Sequence, residues 1–175
     1  MTVCIIGDGL TSLSLAKNLI NKKINVHIYY KNKIQKITSA RTIGISKNNF
    51  EFFKKEIHEI PRQNCWKINK IEIYSQKLKN ENLLNFKNKK IELFYMVKND
   101  ELYTSLKKTL FKSEFFKSTM IKKTFNEEQL NKKKYDLIIN CDSNNFLVKK
   151  YFTKKIEKNY FNIAYTAILQ HKKID

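Results

Sequence analysis

Hydrophobic positions near the amino terminus pass from a continuous run to a helical period and then to alternation. Residues 2–6 are mostly apolar and lead into a glycine, which predicts a short buried strand of a parallel sheet. In residues 13–20, apolar side chains recur at intervals of four, as on one face of an α-helix. Residues 24–30 alternate between apolar and polar positions, which predicts a second strand. A strand, a helix and a strand in so short a stretch predict one right-handed βαβ unit.

The rest of the chain also mixes strand-like and helix-like patterns. The predicted extended segments are residues 41–45, 68–74, 91–97 and 135–141, with one more strand beginning at residue 163. The predicted helices are one that contains Phe50 and Phe53 and ends before Pro61, and one that contains Leu102, Leu106 and Leu110 and has Asn99-Asp100 as its N-cap. We expect the Lys- and Asn-rich residues 79–90 to form a hairpin-like surface connection. The patterns predict an α/β fold with a Rossmann-like parallel sheet, in a single domain over residues 1–175.

The turn between the first strand and the first helix has the pattern of a phosphate-binding turn. It runs Gly7-Asp8-Gly9-Leu10-Thr11-Ser12. Gly7 permits a sharp exit from the strand, and Gly9 lets the backbone approach a pyrophosphate closely. The helix that begins near Leu10 directs its free N–H groups and its positive dipole end at the phosphates. Ser12 supplies the small side chain needed at the third position. The turn predicts dinucleotide binding, with an ordinary βα turn containing two glycines as the alternative.

The carboxylate that completes this fingerprint is missing from the sequence. An acidic residue about 20 positions after the turn usually binds the ribose hydroxyls, but the second strand ends at Tyr30-Lys31 and no Asp or Glu lies between Gly9 and Phe50. Either Tyr30 supplies a hydroxyl or the affinity for adenosine is reduced. Lys31 can alternatively bind a 2′-phosphate, which keeps NADP open. Asp8 lies inside the turn, where its charge would repel a pyrophosphate, and we expect it to face solvent or to cap a backbone N–H.

The formal net charge of +19 is the most unusual feature of the composition. Only Arg41 and Arg62 are arginines, and the lysines are scattered along the whole chain. A nucleic-acid site more often clusters arginines with aromatic residues. We therefore expect no nucleic-acid partner, although a basic protein that binds nucleic acid or a membrane surface stays an alternative, with steeply salt-dependent binding as its test.

Cysteine and hydropathy patterns indicate the compartment. The three cysteines are odd in number and far apart, which disfavours a disulfide framework and a zinc knuckle. No apolar segment reaches the length of a membrane span, and no signal-peptide pattern is found. We expect a cytoplasmic protein with at most peripheral contact with the inner face of a membrane. His27 is expected to be a partly exposed strand residue, and we predict no metal site.

Three separated segments resemble one family. They are residues 3–9 with the following helix, residues 41–46 (Arg-Thr-Ile-Gly-Ile-Ser) with the following helix, and residues 95–102, which resemble a "Y-x-V-x-N-x-x-L" stretch. Together they resemble the flavin-dependent aromatic hydroxylases of the ubiquinone-biosynthesis type, within the class A flavoprotein monooxygenases. The resemblance implies that the turn binds FAD and that Arg41 contacts the flavin cofactor.

A fourth segment, residues 135–145, is similar to the family's "D-L-hydrophobic-x-G-A-D-G-x-x-S" motif. Asp142 falls on the acidic residue that helps to organise the pyrophosphate region. Ser143 and Phe146 replace a glycine and a serine of that motif. Taken alone, the segment is also compatible with a core strand that ends in an Asp-Ser-Asn turn.

The resemblance covers the amino-terminal half of a family member. It implies that residues 66–97 and 160–175 are strands of an incomplete mixed or antiparallel substrate sheet. It also implies a truncated or split monooxygenase that is inactive alone and is completed by a C-terminal half or a second polypeptide. The complete enzyme would hydroxylate a small aromatic substrate, with or without a polyprenyl tail, using FAD and NAD(P)H and no catalytic side chain. The alternative is a degenerate dinucleotide-binding module for FAD or NADP without redox activity.

Overall fold

The amino-terminal motif lies in a parallel sheet. The computed structural model describes residues 1–31, 41–75, 81–87, 92–121, 130, 134–151, 154, 156, 158–163 and 165. In chain order the elements are β1 (Thr2–Ile6), α1 (Leu10–Asn21), β2 (Asn25–Lys31), β3 (Thr42–Ser46), α2 (Lys47–Glu56), a 3-10 turn (Arg62–Asn64), β4 (Cys65–Ile68), β5 (Lys70–Ser75), β6 (Glu81–Lys87), β7 (Phe94–Lys98), α3 (Asn99–Leu110), β8 (Phe116–Ile121), β9 (Leu137–Asn140) and α4 (Phe146–Tyr151).

The parallel sheet has the strand order β8-β2-β1-β9, and each neighbouring pair is parallel. Its β1–α1–β2 start confirms the predicted βαβ unit and the Rossmann-like α/β class. The sheet separates two clusters of buried residues. Val3 and Ile5 of β1 face the larger cluster, which α1 and α3 cover, whereas Cys4 and Ile6 face a smaller one with Tyr135. Because β1 is buried on both faces, its sequence is a nearly continuous run of apolar residues.

The remaining strands are antiparallel. β3, β7 and β4 form one sheet with β7 in the centre, and β5 pairs with β6 in a separate hairpin. Residues 79–90 were expected to be a surface connection: residues 81–87 are exposed as expected but form the strand β6, and residues 79, 80 and 88–90 lie outside the described residues. All seven residues of β6 are exposed, so no buried face reveals the strand in the sequence. The parallel strand β8 was likewise not predicted.

The N-cap of α3 is Lys98, so Asn99 and Asp100 lie inside the first turn, where Asp100 interacts favourably with the helix dipole, and the N-cap prediction was wrong. Of residues 160–175, those described are 160–163 and 165, and they belong to no helix or strand; the others lie outside the described residues. The assignment of this segment to a substrate sheet stays a prediction. In the described part of the chain, no helix is long and apolar enough to cross a membrane.

Candidate functional site

The carboxyl ends of β1, β2 and β9 meet at one edge of the parallel sheet, which is where open α/β sheets bind ligands. Gly7, the first residue after β1, donates its N–H to the carbonyl oxygen of Tyr29 on β2 at 2.8 Å. On the other side, Cys141 donates its N–H to the carbonyl oxygen of Ile6 at 2.9 Å. The phosphate turn therefore leaves the sheet between the ends of two neighbouring strands.

Gly7 has a conformation and a neighbourhood that exclude a side chain. Its φ angle is +107°, which L residues rarely adopt. A Cβ atom would lie 3.3 Å from the carbonyl carbon of Cys141 and 3.4 Å from Cβ of Asp142. The expectation that Gly7 serves the sharp turn is met, and the close approach of Asp142 adds a second reason that the sequence did not reveal.

Gly9 differs from Gly7 because its surroundings are open. It is the N-cap of α1 with φ −70° and ψ 173°, and a Cβ atom there would meet no described atom within 4 Å. Within the described residues, no side chain caps α1, and its first turn contains no acidic residue. The first helical hydrogen bond runs from Leu13 N–H to Gly9 O at 3.0 Å, so the preceding N–H groups of Leu10, Thr11 and Ser12 make no intrahelical bond. Space and free donors at a helix amino terminus fit a pyrophosphate.

Ser12 is fully buried in the first turn of α1. Its small side chain lets the helix pack closely on the sheet, as predicted for the third position of the motif. Among the described residues, its Oγ has no hydrogen-bond partner. A buried hydroxyl without a partner is unfavourable by about 1–3 kcal/mol, so the small size of Ser12 rather than its polarity suits this position.

Asp8 contacts a side chain of α3. Tyr103 Oη donates a hydrogen bond to Asp8 Oδ2 at 3.3 Å. Asp8 is half-buried, and the expectation that it faces solvent or caps a backbone N–H did not include this contact with a tyrosine distant in sequence. Burial, followed by the charge of Asp8 and this hydrogen bond, raises the pKa of Tyr103 to about 12. Tyr103 therefore remains a donor at neutral pH. No motif pointed to it.

Tyr30 and Lys31 lie at the end of β2, as expected. Lys107 Nζ of α3 lies 5.8 Å from the centre of the Tyr30 ring and 5.4 Å from that of the Tyr103 ring. These distances are within the range of cation–π attraction. Lys31 is half-buried and pairs in register with Ile121 of β8. An aromatic and cationic group thus occupies the place where a ribose carboxylate is usual.

Asp142 follows β9 and lies against the phosphate turn, as its distance to Gly7 shows. Its Oδ1 accepts the N–H of Asn144 at 2.9 Å, and its own N–H donates to Oδ1 of Asn140 at 3.2 Å. Asn145 is buried and caps α4, since its Oδ1 accepts the N–H of Leu147 at 3.0 Å. The side chains of Asn140 and Asn145 thus accept backbone hydrogen bonds in the turn between β9 and α4. The sequence did not reveal the role of either residue. The structure brings together two motifs that are far apart in the sequence.

Arg41 is exposed and directly precedes β3. Its carbonyl oxygen accepts the N–H of Asn99 at 3.0 Å. Asn99 and Tyr103 lie four residues apart on one face of α3, so the Arg41 backbone contacts the same helix face that carries Tyr103. Its role toward a flavin stays a prediction.

A second polar cluster lies on the face of the parallel sheet that is opposite to α1 and α3. Nδ1 of His27 lies 2.6 Å from Oη of Tyr135, and Nε2 lies 2.7 Å from Oγ1 of Thr119. His27 is only 5% exposed, so the expectation of a partly exposed residue was wrong. Burial, followed by the charges of Lys134 and Lys117, lowers the pKa of His27 to about 4. The imidazole is neutral at pH 7 and links β2, β8 and the start of the β9 segment.

Cys4 lies on the same face of the sheet and pairs in register with His27. Burial raises the pKa of its thiol to about 12, so it is a buried hydrophobe rather than a nucleophile. Within the described ranges, no group of three or more His, Cys, Asp or Glu side chains could hold a metal ion.

No family model matches the sequence, and no curated protein matches it. Solved structures do match the fold. A probable FAD-dependent monooxygenase from Pseudomonas aeruginosa is 11% identical, with a TM-score of 0.62 over 92% of this chain and 48% of its own. A Photorhabdus luminescens protein assigned as an FAD-containing monooxygenase is 20% identical, with a TM-score of 0.57 over 87% of this chain and 42% of its own. The p-nitrophenol 4-monooxygenase of Pseudomonas putida is 11% identical, with a TM-score of 0.53 over 68% of this chain and 32% of its own.

These likenesses establish the fold alone, because every identity is low. The chain spans 32% to 48% of the length of these three structures. This protein therefore has the α/β fold of FAD-dependent monooxygenases, over part of their length.

Proposed function

We propose that this chain is the FAD-binding portion of a flavin-dependent monooxygenase. The observation that carries the proposal is the meeting of the Gly7–Ser12 turn with Asp142 at the carboxyl edge of the parallel sheet. The uncapped amino terminus of α1 and the open space at Gly9 support a pyrophosphate there. The fold likeness to FAD-dependent monooxygenases favours FAD among the dinucleotides.

Each part of the site has a separate role in this proposal. The N–H groups of Leu10, Thr11 and Ser12 bind the pyrophosphate, and Gly9 lets it come close. Asp142 lies beside Gly7 and bounds the turn on the β9 side. Arg41 contacts the flavin end of the cofactor. FAD supplies the redox chemistry of hydroxylation when it is bound, and the protein orients it and excludes water.

The finer proposal concerns the reaction. We infer from the motif resemblance that the substrate is an aromatic ring of a ubiquinone-type precursor, that NAD(P)H is the reductant, and that the location is cytoplasmic with at most peripheral membrane contact. The chain spans less than half of the monooxygenase structures that it resembles. We therefore propose that a C-terminal half or a second polypeptide supplies the rest of the enzyme. The segments carrying this proposal are residues 95–102 and 135–145.

A second candidate is a dinucleotide-binding module without redox activity. It is favoured by the end of β2, where Tyr30 and Lys31 replace the ribose carboxylate, and by Ser12 and Ser143 in place of glycine or alanine. In this case the turn binds FAD or NADP, but no hydroxylation follows in any assembled form.

Titration of the purified chain with FAD, ADP and NADP⁺ by calorimetry tests the proposal. We expect saturable 1:1 binding of FAD and ADP, and yellow protein after gel filtration with FAD. Gly9→Val, which fills the space for the pyrophosphate, should weaken this binding at least about 100-fold without unfolding the protein. Absence of binding by the folded wild-type chain would contradict both candidates. A polypeptide that completes the monooxygenase fold can then be added. If FAD binds but NAD(P)H is still not oxidised, the second candidate, a binding module without redox activity, is favoured.

A further inference from the structure

Asp8 and Asp142 are two carboxylates at the carboxyl edge of the parallel sheet, and they lie on different sides of the phosphate turn. Asp142 lies on the β9 side, against Gly7. Asp8 is directed to α3 through its contact with Tyr103. The side on which Asp8 lies decides which part of a bound dinucleotide it can meet.

The amino-terminal half of α3 lies on the β2 side of the turn. α3 leads into β8, which runs parallel to β2 and beside it, and Phe115 just before β8 accepts the N–H of Val26 at 2.8 Å. The carboxyl end of α3 is thus at the amino edge of the sheet, and Tyr103 lies toward the opposite edge.

Lys107 connects Tyr103 with the end of β2. Its Nζ lies near the rings of both Tyr30 and Tyr103, so these two tyrosines are neighbours. A series of contacts through Tyr103 and Lys107 therefore connects the carboxylate of Asp8 with the ring of Tyr30 at the end of β2.

The end of β2 is where the adenosine ribose lies in dinucleotide folds of this type. A ribose presents two neighbouring hydroxyl donors, which need an acceptor such as a carboxylate. Tyr30 and Lys31 provide no carboxylate there. Asp8 has about four acceptor positions on its two oxygens, and the contact with Tyr103 uses one of them. At 3.3 Å this contact is longer than an ordinary O–H···O bond, so a ribose hydroxyl can compete for the carboxylate.

We propose that Asp8, positioned by Tyr103, replaces the missing carboxylate of β2 and binds the ribose hydroxyls of the adenosine half. The proposal rests on the proposed dinucleotide site. It gives the charged side chain inside the phosphate turn a role, since the carboxylate is turned away from the pyrophosphate and toward the ribose. It also disfavours a 2′-phosphate, which would be repelled by the carboxylate, and so favours FAD over NADP.

Calorimetric titration of the full chain with ADP and with 2′,3′-dideoxy-ADP tests the proposal. The measured quantity is the ratio of the two dissociation constants, which isolates the ribose hydroxyls from the phosphates. Hydrogen bonds to a charged acceptor correspond to about tenfold or more in affinity, so the wild-type ratio should be about ten or higher. Asp8→Ala should bring the ratio close to one. Glu114→Ala removes an exposed carboxylate elsewhere and should keep the wild-type ratio.

Two further variants separate the carboxylate from its positioning residue. Tyr103→Phe removes the hydroxyl that orients Asp8 and should lower the ratio about threefold. Tyr74→Phe, on the exposed β5–β6 hairpin, is its matched control and should leave the ratio unchanged. If Asp8→Ala fails to fold, Asp8→Asn carries the test, because a neutral amide oxygen is the weaker acceptor and the ratio should still fall at least about threefold.

The failure of this proposal is distinguishable from that of the proposed function. ADP binding with an Asp8→Ala ratio equal to that of the wild type overturns the role of Asp8 and leaves the dinucleotide site intact. Tighter binding of both ligands by Asp8→Ala at an unchanged ratio also overturns it, and would show that Asp8 only repels phosphate. No binding of ADP by the folded wild-type chain contradicts the site and the role of Asp8 together.

Discussion

The phosphate turn and the His27 cluster both place polar groups against the same parallel sheet, but they satisfy them differently. At the turn, the first N–H groups of α1 have no intrahelical partner, and Ser12 Oγ has no partner among the described residues. In the cluster, both ring nitrogens of His27 have hydrogen-bond partners within 2.7 Å. Free N–H donors at a helix amino terminus next to the open space at Gly9 fit an anion, whereas polar groups that are satisfied internally stabilise the fold.

The first prediction concerns Gly9 and has the largest expected effect. Gly9→Val should weaken binding of ADP or FAD at least about 100-fold, equivalent to about 2.7 kcal/mol, because its side chain enters space that is open in the protein. Its φ and ψ angles are accessible to valine, so circular dichroism should show an intact fold. Ser46→Val, at the N-cap of α2, is the matched control and should bind like the wild type. Equal affinities in the two variants would contradict the turn as a phosphate site.

Gly7 has a structural role in the same turn. Gly7→Ala should lower the free energy of unfolding by about 2 kcal/mol, because φ is +107° and Cβ would crowd Cys141 and Asp142. Gly44→Ala is the control, since its φ is not positive and its nearest neighbour is the flexible side chain of Met96 at 3.3 Å. Urea denaturation measures both. A smaller loss for Gly7→Ala than for Gly44→Ala would show that the described turn is wrong.

The His27 cluster should respond in stability alone. Tyr135→Phe removes the partner of His27 Nδ1, and the loss should be about 1–2 kcal/mol in the free energy of unfolding. Dinucleotide affinity should change less than about twofold, because the cluster lies within the sheet and not at its carboxyl edge. Tyr74→Phe on the exposed hairpin is the control for both measurements. If Tyr135→Phe lost much of its dinucleotide affinity at retained stability, the ligand would have to lie near the His27 cluster, which would contradict a site at the phosphate turn.

The pH dependence of stability has the smallest expected effect. The pKa of His27 is lowered to about 4 in the folded protein and is about 6.5 when unfolded, so the unfolded chain binds more protons between these values. Stability should therefore fall as the pH drops from about 6.5 toward 4, by about 1 kcal/mol after solvent screening is allowed for.

Comparison of variants isolates the contribution of His27. The difference in free energy of unfolding between the wild type and His27→Gln should shrink on going from pH 7 to pH 5. Asn85→Gln on the exposed strand β6 is the control, because it changes no titrating group and should leave the pH dependence of stability at the wild-type value. A difference that stays constant with pH would mean that His27 is not neutral and buried as described.

The sequence predicted the elements whose pattern is local. β1 was predicted because it is buried on both faces, and α1 because its apolar residues recur along one face. β6 was missed because its seven residues are all exposed and its pairing with β5 depends on backbone hydrogen bonds. β8 mixes half-buried and exposed positions without alternation, so it was missed as well.

The candidate site was predictable only in part. The phosphate turn is a contiguous motif, and Asp142 was found through its resemblance to a family motif. The contact between Asp8 and Tyr103 joins residues 95 positions apart, which no local pattern reveals. His27 looked exposed for the same reason, since Tyr135 and Thr119 bury it from distant parts of the chain.

The Gly7–Ser12 turn, whose N–H groups lack intrahelical partners, should bind the phosphates. The His27 cluster, whose ring nitrogens have hydrogen-bond partners, should not. Backbone amide NMR spectra of the labelled chain, recorded during titration with ADP, test these expectations most directly. We expect saturable shifts at Gly7 to Ser12 and at Asp142, with no shift at His27 or Tyr135. Shifts spread over surface lysines without saturation, or centred on His27, would contradict them.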